Sequence, residues 1–316
     1  MKHTLPFAVS LALFVVVAPG TAQESQKPTP LVQAPKTERK PIYDEAADAE
    51  QLVGAALAVA KRDNKRVLLM YGGNWCGWCY KLDEVFKAEP AVRRVMRDEY
   101  ELVHVDIGRG DKHVELSARF GSDHRAHGYP YLTIVGADGQ TVTHKDTAEL
   151  EDGPKHDPAK VLEFLEAHIA VPVDACERIA AAQQEARESG RLMFVHIGAP
   201  WCGWCHKLEG WMAKPNVEPL LARVFVDVKI DQDRMTHGKT VAALIRQGRK
   251  GGIPWFAFTD ADLAPLATSD GPEGNCGFPA KDHEIEHFVG MLRKTERFEA
   301  EELSALEESL RRSTPH

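Results

Sequence analysis

The chain has 316 residues, is 43% hydrophobic and 27% charged, and carries a formal net charge of −8. That composition is globular and long enough for two ordinary domains. An acidic chain without a basic run speaks against nucleic-acid binding, which needs Lys and Arg clustered against phosphate.

At the N-terminus, Lys2 and His3 precede an apolar run from Leu5 to Ala18, followed by small residues in Pro19-Gly20-Thr21-Ala22. The run is shorter than the ~20 residues of a comfortable membrane span, and no stop-transfer pattern flanks it. Residues 1–22 therefore read as a cleaved signal peptide, which makes the protein exported, either periplasmic or secreted. An uncleaved anchor is the alternative; no other stretch could span a bilayer. Residues 23–42 are rich in Pro, Gln and Lys and read as a flexible tether, because they have too little apolar surface to offset ordering.

Beyond the tether the chain repeats itself. RVLLMYGGNWCGWCYKLDEVF begins at Arg66, and RLMFVHIGAPWCGWCHKLEGWM at Arg191. Cys76 and Cys202 lie 126 positions apart, Pro90 and Pro215 lie 125 apart, as do Asp106 and Asp231, and Pro130 and Pro254 lie 124 apart. A near-constant offset marks a duplication. It predicts two domains, 43–170 and 173–295, and a charged helical tail at 296–316.

Both units have the same predicted order. An Ala-rich amphipathic helix (44–63, 174–189) leads into an apolar strand, VLLMYG or LMFVHIG. The Cys pair opens the next helix. A second strand follows, ELVHVDI or VFVDVKID, then a helix, then Gly128-Tyr129-Pro130 or Gly252-Ile253-Pro254, then a strand, YLTIV or WFAF. Asp138-Gly139 marks a hairpin turn, and helices near 157–169 and 282–294 close the units. Alternating strands and helices predict an α/β fold: two tandem domains, each a central mixed β-sheet flanked by helices.

The chemistry lies in the cysteines. Of the six, four form two C-x-x-C pairs and two are left over, Cys176 and Cys276. At a helix N-terminus, unpaired N–H groups and the dipole stabilise a thiolate. Cys76 and Cys202 are therefore the expected nucleophiles. Cys79 and Cys205, one turn on, are placed to resolve the mixed disulfide. Trp75 and Trp201 are expected to form flat apolar surface beside each site.

Strand, Trp-Cys-x-x-Cys, helix and a later Gly-x-Pro before a strand resemble the thioredoxin family over roughly 43–169 and 173–294. The resemblance implies cis prolines at Pro130 and Pro254 lying against the Cys pairs. It also implies substrate pairing in β-fashion at Tyr129 and Ile253. The two units depart from thioredoxin in carrying Gly-Trp between the cysteines, one of the variables that sets reduction potential. Thioredoxin has a buried Asp six residues before the first Cys; here Met70 and His196 stand there. Met70 cannot take a proton. His196 can accept one from Cys205, or it is simply a packed strand residue.

Other readings are weaker. Two C-x-x-C pairs can bind zinc, but structural pairs usually lie within ~15–20 residues of each other. Cys202-Gly203-Trp204-Cys205-His206 is formally a haem-attachment motif, yet Tyr80 replaces the His in the first unit. His124 and His127 read as polar loop residues, with an accessory metal or proton-donor role as the rival. Cys176 reads as a core residue and Cys276 as a buried one, a disulfide between them being an open alternative. Acidic stretches such as Glu84, Glu89 and Glu299 to Glu302 read as solvated helix surface.

The expectation is thus thiol–disulfide exchange (reduction, isomerisation or oxidation) on exported protein substrates with Cys or disulfides, served by a separate redox partner. No organic cofactor or metal is needed. A thioredoxin-like binding module or chaperone for unfolded exported chains is the alternative.

Overall fold

Apolar strands alternating with amphipathic helices build the same α/β unit twice in the computed structural model. It describes residues 39–313; the signal-peptide reading and most of the tether lie outside the described residues. By its contacts the chain divides into Met1–Lys40 and Pro41–His316, and all the elements below lie in the latter.

The first unit runs α1 (Ala49–Asp63), β1 (Arg66–Gly72), α2 (Gly77–Ala88), α3 (Pro90–Glu99), β2 (Tyr100–Asp106), α4 (Val114–Arg119), β3 (Tyr131–Val135), β4 (Thr141–Asp146) and α5 (Pro158–Glu166). The second runs α6 (Ala175–Ser189), β5 (Leu192–Gly198), α7 (Gly203–Met212), α8 (Glu218–Val224), β6 (Phe225–Asp231), α9 (Gly238–Arg246), β7 (Trp255–Thr259), β8 (Pro265–Thr268), α10 (Asp282–Lys294) and α11 (Ala300–Arg311). A small two-stranded ribbon precedes α5 and another precedes α10.

Each sheet has four strands, in the orders β2-β1-β3-β4 and β6-β5-β7-β8. The strand before the Cys pair pairs parallel with the second strand and antiparallel with the third. The sheets are mixed, as expected. Helices cover both faces of the strand leading to the cysteines, which explains its unbroken apolar run. Leu68 and Met70 pack with Cys79, Leu82 and Phe86, while Val67, Leu69 and Tyr71 pack with the α1 side. In the second unit, Phe194 packs with Leu208 and Trp211, and Val195 and Ile197 with the α6 side.

Local capping repeats as well. Asp48 accepts from Glu50 N at the start of α1, and Asp174 accepts from Cys176 N at the start of α6. Carboxylates suit a helix N-terminus because they accept its unpaired N–H groups.

One expectation changes. The single helix expected after each Cys pair is two helices. Pro90 occupies the first position of α3, where its missing N–H costs nothing. The charged helical tail expected beyond the second domain packs on that domain as well. Leu303, Leu306 and Leu310 of α11 complete the second core, and Trp211 Nε1 donates to Ser309 Oγ at 3.2 Å. Glu299 and Glu301 of the run are exposed and Glu302 is half-buried against Arg223, while the leucines one turn apart face inward.

The two units meet through a buried ionic network. Lys229 Nζ lies 2.8 Å from Glu209 Oε1 in its own unit and 2.9 Å from Asp63 Oδ1 in the other. Arg234 forks onto Glu99 at 2.9 and 2.7 Å and donates to the carbonyls of Asp63 and Asn64.

Candidate functional site

Each cysteine pair begins a helix. Cys76 and Cys202 are the N-caps of α2 and α7, with extended backbone, and their sulfurs accept from Cys79 N and Cys205 N at 3.1 Å. The first turn's N–H groups are thus aimed at the sulfur assigned the nucleophilic role. The pairs are joined as disulfides, with Cα–Cα separations of 5.3 and 5.2 Å. All four residues are buried, and those assigned as resolving sit deepest.

A glycine ends the strand behind each pair. A Cβ on Gly72 would lie 2.5 Å from Cys79 Sγ, too close to fit, and one on Gly198 would lie 3.2 Å from Cys205 Sγ, a tight contact. At Gly72 only a hydrogen lets the strand approach the disulfide so closely.

Aromatic side chains surround the cysteines. Trp75 is 43% exposed, anchored by Nε1 donating to Gly108 O at 2.6 Å. Trp201 is 54% exposed and donates to Asp233 Oδ2 at 2.7 Å. Both peptide bonds preceding Pro130 and Pro254 are cis. Tyr129 stands edge-on to Trp75, with centroids 5.6 Å apart, and packs on the cluster that holds Cys76 and Cys79. Ile253 lies in a loop pinned by Asn275, whose Nδ2 donates to both Gly252 O and Pro254 O. The inner tryptophans were not singled out in the sequence. Trp204 is 48% exposed and stacks on Phe278, and Trp78 sits against His156. Lys81 and Lys207, matched in the repeat, cover Trp78 and Trp204 at 3.8 and 4.2 Å. Helical i,i+3 spacing puts each Lys over its Trp.

Position six before the first Cys is filled as expected by Met70 and His196, both buried on the face beneath the pair's helix. His196 Nε2 lies 3.0 Å from Asp227 Oδ1. A buried carboxylate also sits near Cys205: Glu209, one helical turn beyond it. Glu209 Oε1 and Cys205 Sγ lie 4.0 and 3.2 Å from the point a Cβ on Gly198 would occupy. Burial pushes the Glu209 carboxyl up, but His206, Lys229 and His196 together hold it below its ordinary value. His206 is held up in turn by Glu209 beside it, despite burial. Its Nε2 is 2.7 Å from Pro200 O. A cleft of about 680 Å³ is lined by His196, Glu209, Asp227 and Lys229, among others.

The first unit carries the same acid in a different setting. Asp83, also one turn past its resolving Cys, is buried, pairs with Lys87 and lies 3.3 Å from His104 Nε2. His104 and Lys229 occupy equivalent register positions, opposite Met70 and His196. Both acids were legible only as residues of a charged helix, because their burial depends on a partner on the next strand.

Three other expectations resolve. Cys176 is exposed, not a core residue; it lies in the first turn of α6 on the outward face. Cys276 is buried as expected, and burial pushes its thiol up to about 12, which makes it a poor nucleophile. Neither is in a disulfide. His124 is buried rather than a polar loop residue. It stacks on Tyr71 and lies within hydrogen-bond reach of Tyr129 and Ser117, while His127 lies outside against Asp146. Among the described residues, Asp174, Cys176 and His237 bring three potential metal-ligand atoms within 4.8 Å of one another.

Known proteins match both halves. A family model described as thioredoxin-like matches residues 48–137, and a DsbH-type model described as "Protein of unknown function, DUF255" matches 159–314. Uncharacterized protein B0495.5 of Caenorhabditis elegans is 25% identical over 147 residues, 44% of this chain. Spermatogenesis-associated protein 20 of Homo sapiens is 26% identical over 156 residues, 48% of this chain. The chain spans 19% of the length of each of these two relatives. A solved disulphide isomerase from Xylella fastidiosa Temecula1 is 32% identical, with 40% of this chain and 95% of that one covered at a TM-score of 0.37.

Proposed function

Because the chain belongs to the thioredoxin family, with one thioredoxin-like domain in each half, we propose that it exchanges thiols and disulfides with exported protein substrates at two sites. Cys76 and Cys202 attack; Cys79 and Cys205 resolve. The observation that carries this reading is the repeated geometry: a sulfur capping a helix and its partner one turn deeper in each domain. Trp75 and Tyr129 offer an apolar platform at the first site, and Trp201 and Trp204 at the second. Tyr129 and Ile253, beside Pro130 and Pro254, are the proposed docking edges for a substrate strand. The domains are taken as 43–170 and 173–295, with α11, from the tail at 296–316, packed on the second. A cleaved signal at 1–22 and a tether at 23–42 remain part of this proposal.

Insulin reduction tests it. The wild-type chain with a dithiol reductant accelerates precipitation of the insulin B chain. The variant with all four site cysteines changed to Ser does not. Equal rates for the two chains would favour a binding module over exchange chemistry.

At the second site Glu209 is the proposed base for the Cys205 thiol, and His196 tunes it. In a chain keeping only the second pair, Glu209→Gln is expected to slow release of the mixed disulfide by about 10²-fold, as for loss of a positioned general base. His196→Ala is expected to slow it less and to move the pH midpoint of release. If His196→Ala has the larger effect, the histidine and not the carboxylate is the base.

A further inference from the structure

Tyr43 lies outside both cysteine motifs, 33 residues before Cys76, yet its side chain reaches the first disulfide. It is only 2% exposed. Its hydroxyl and Cys79 Sγ lie 2.4 and 2.5 Å from the point where a Cβ on Gly72 would stand, so the two are less than about 5 Å apart. The hydroxyl is fully buried and, among the described residues, has no hydrogen-bond partner in the disulfide form. A buried hydroxyl without a partner is costly, and it is uncommon unless another state of the protein uses it.

The position is built rather than incidental. Asn74, two residues before Cys76, accepts from Ile42 N and Tyr43 N at 3.1 and 3.0 Å and donates to Tyr43 O at 3.0 Å. The loop that presents Cys76 therefore clamps the segment that carries Tyr43. The ring stands edge-on to His104, with centroids 5.2 Å apart. Facing Tyr43 are Cys79, Tyr80 and Asp83 from α2, and His104 and Asp106 from β2. Burial, and then the carboxylates of Asp83 and Asp106, keep the phenol protonated well above its ordinary range. It can therefore donate a proton in a hydrogen bond but cannot act as a base. The second site is built differently. Pro200 stands where Asn74 does, and the near neighbours of the equivalent Gly198 position are Cys205 and Glu209.

We propose that the Tyr43 hydroxyl donates a hydrogen bond to the Cys79 sulfur when the first pair opens, holding it as the thiolate that resolves the mixed disulfide. This rests on the exchange reading above. In the step it assists, the Cys79 thiol has lost its proton to water. The thiolate attacks Cys76 Sγ, the Cys76–Cys79 bond forms, the bond from Cys76 to the substrate sulfur breaks, and the substrate leaves as a thiolate. The first site thus sets a neutral donor beside the strand-end glycine, where the second has the Glu209 carboxylate.

The test uses the full chain with Cys176→Ser, which removes the exposed free thiol, and with Cys202→Ser and Cys205→Ser, reduced and mixed with 5,5′-dithiobis(2-nitrobenzoate). Attack by Cys76 releases one thionitrobenzoate, and resolution by Cys79 releases a second. In Tyr43→Phe the first phase is expected to keep its rate. The second phase is expected to slow roughly three- to tenfold at pH 7, with its pH midpoint raised by about one unit. The slowing is smaller than the loss of thiolate alone because a more basic thiolate is a better nucleophile. The disulfide form of Tyr43→Phe is expected to melt no lower than the parent, since the hydroxyl has no partner there to lose. A normal second phase with an unmoved midpoint overturns the proposal. So does equal slowing of both phases with an unmoved midpoint, which is what a packing role alone would give. If the parent releases no thionitrobenzoate at all, the exchange reading itself falls for this site, a result distinct from either.

Discussion

Replacing Lys229 by Met is expected to destabilise the chain by about 3–5 kcal/mol at pH 7, the usual cost of leaving a buried charge without its partner. Lys229 sits between Glu209 and Asp63, both buried. Asp63 keeps Arg62, whose Nη2 lies 2.8 Å away, so the loss falls mainly on Glu209. The pH dependence is diagnostic. In the parent, Glu209 is held below the ordinary carboxylate range although burial opposes this. Its contribution is therefore present above that range and disappears as pH falls through the depressed value. Without Lys229, burial is opposed only by His206 and His196, and the folded-state value rises. Glu209 then folds more readily protonated, and stability is lost as pH rises. The gap between parent and variant should widen from pH 5 to pH 7. Urea unfolding followed by tryptophan fluorescence measures it. A gap under 1 kcal/mol, or one that does not change with pH, would show that the network is solvated and contributes little.

Cys79→Ser and Cys205→Ser are each expected to cut turnover at their own site by at least about 10³-fold, as removal of a covalent participant does. Capture should survive. Cys76 and Cys202 remain helix caps with N–H groups aimed at their sulfurs, so each variant should accumulate a stable mixed disulfide with a protein substrate. Cys76→Ser and Cys202→Ser should neither turn over nor capture, because the remaining cysteine is the deeper of the pair. Non-reducing electrophoresis of chains keeping one site, quenched with acid, separates the cases. Capture by Cys79 in a Cys76→Ser chain would reverse the assigned roles.

Much of the site was legible because its determinants are local. A Cys pair spaced one helical turn apart after an apolar strand suits the opening of a helix, and the helix end then points its N–H groups at the first sulfur. Covalent spacing and the period of the apolar residues are written in the chain itself, so the duplication, both mixed sheets and all four cysteines could be placed without coordinates. Cys176 shows the limit of the same reasoning. In an Ala-rich helix every face looks apolar, and only packing against the sheet showed that its face is outward.

What the tertiary structure alone decided is which polar groups are buried and against what. Asp83 and Glu209 look like ordinary charged helix residues. Their burial is tolerated because His104 and Lys229 arrive from the neighbouring strand, about 20 residues on in each unit. Glu299 to Glu302 read as surface, and Glu299 and Glu301 do lie exposed, but Glu302 is half-buried against Arg223 and the leucines beyond it bury α11 in a core formed by residues as distant as Trp211. Tyr43 reads only as the first residue after the tether, and it becomes a neighbour of Cys79 only when Asn74 folds back onto its backbone. A local pattern carries the sign and polarity of a side chain. Burying that side chain at tolerable cost depends on a partner brought by the fold from elsewhere in the chain.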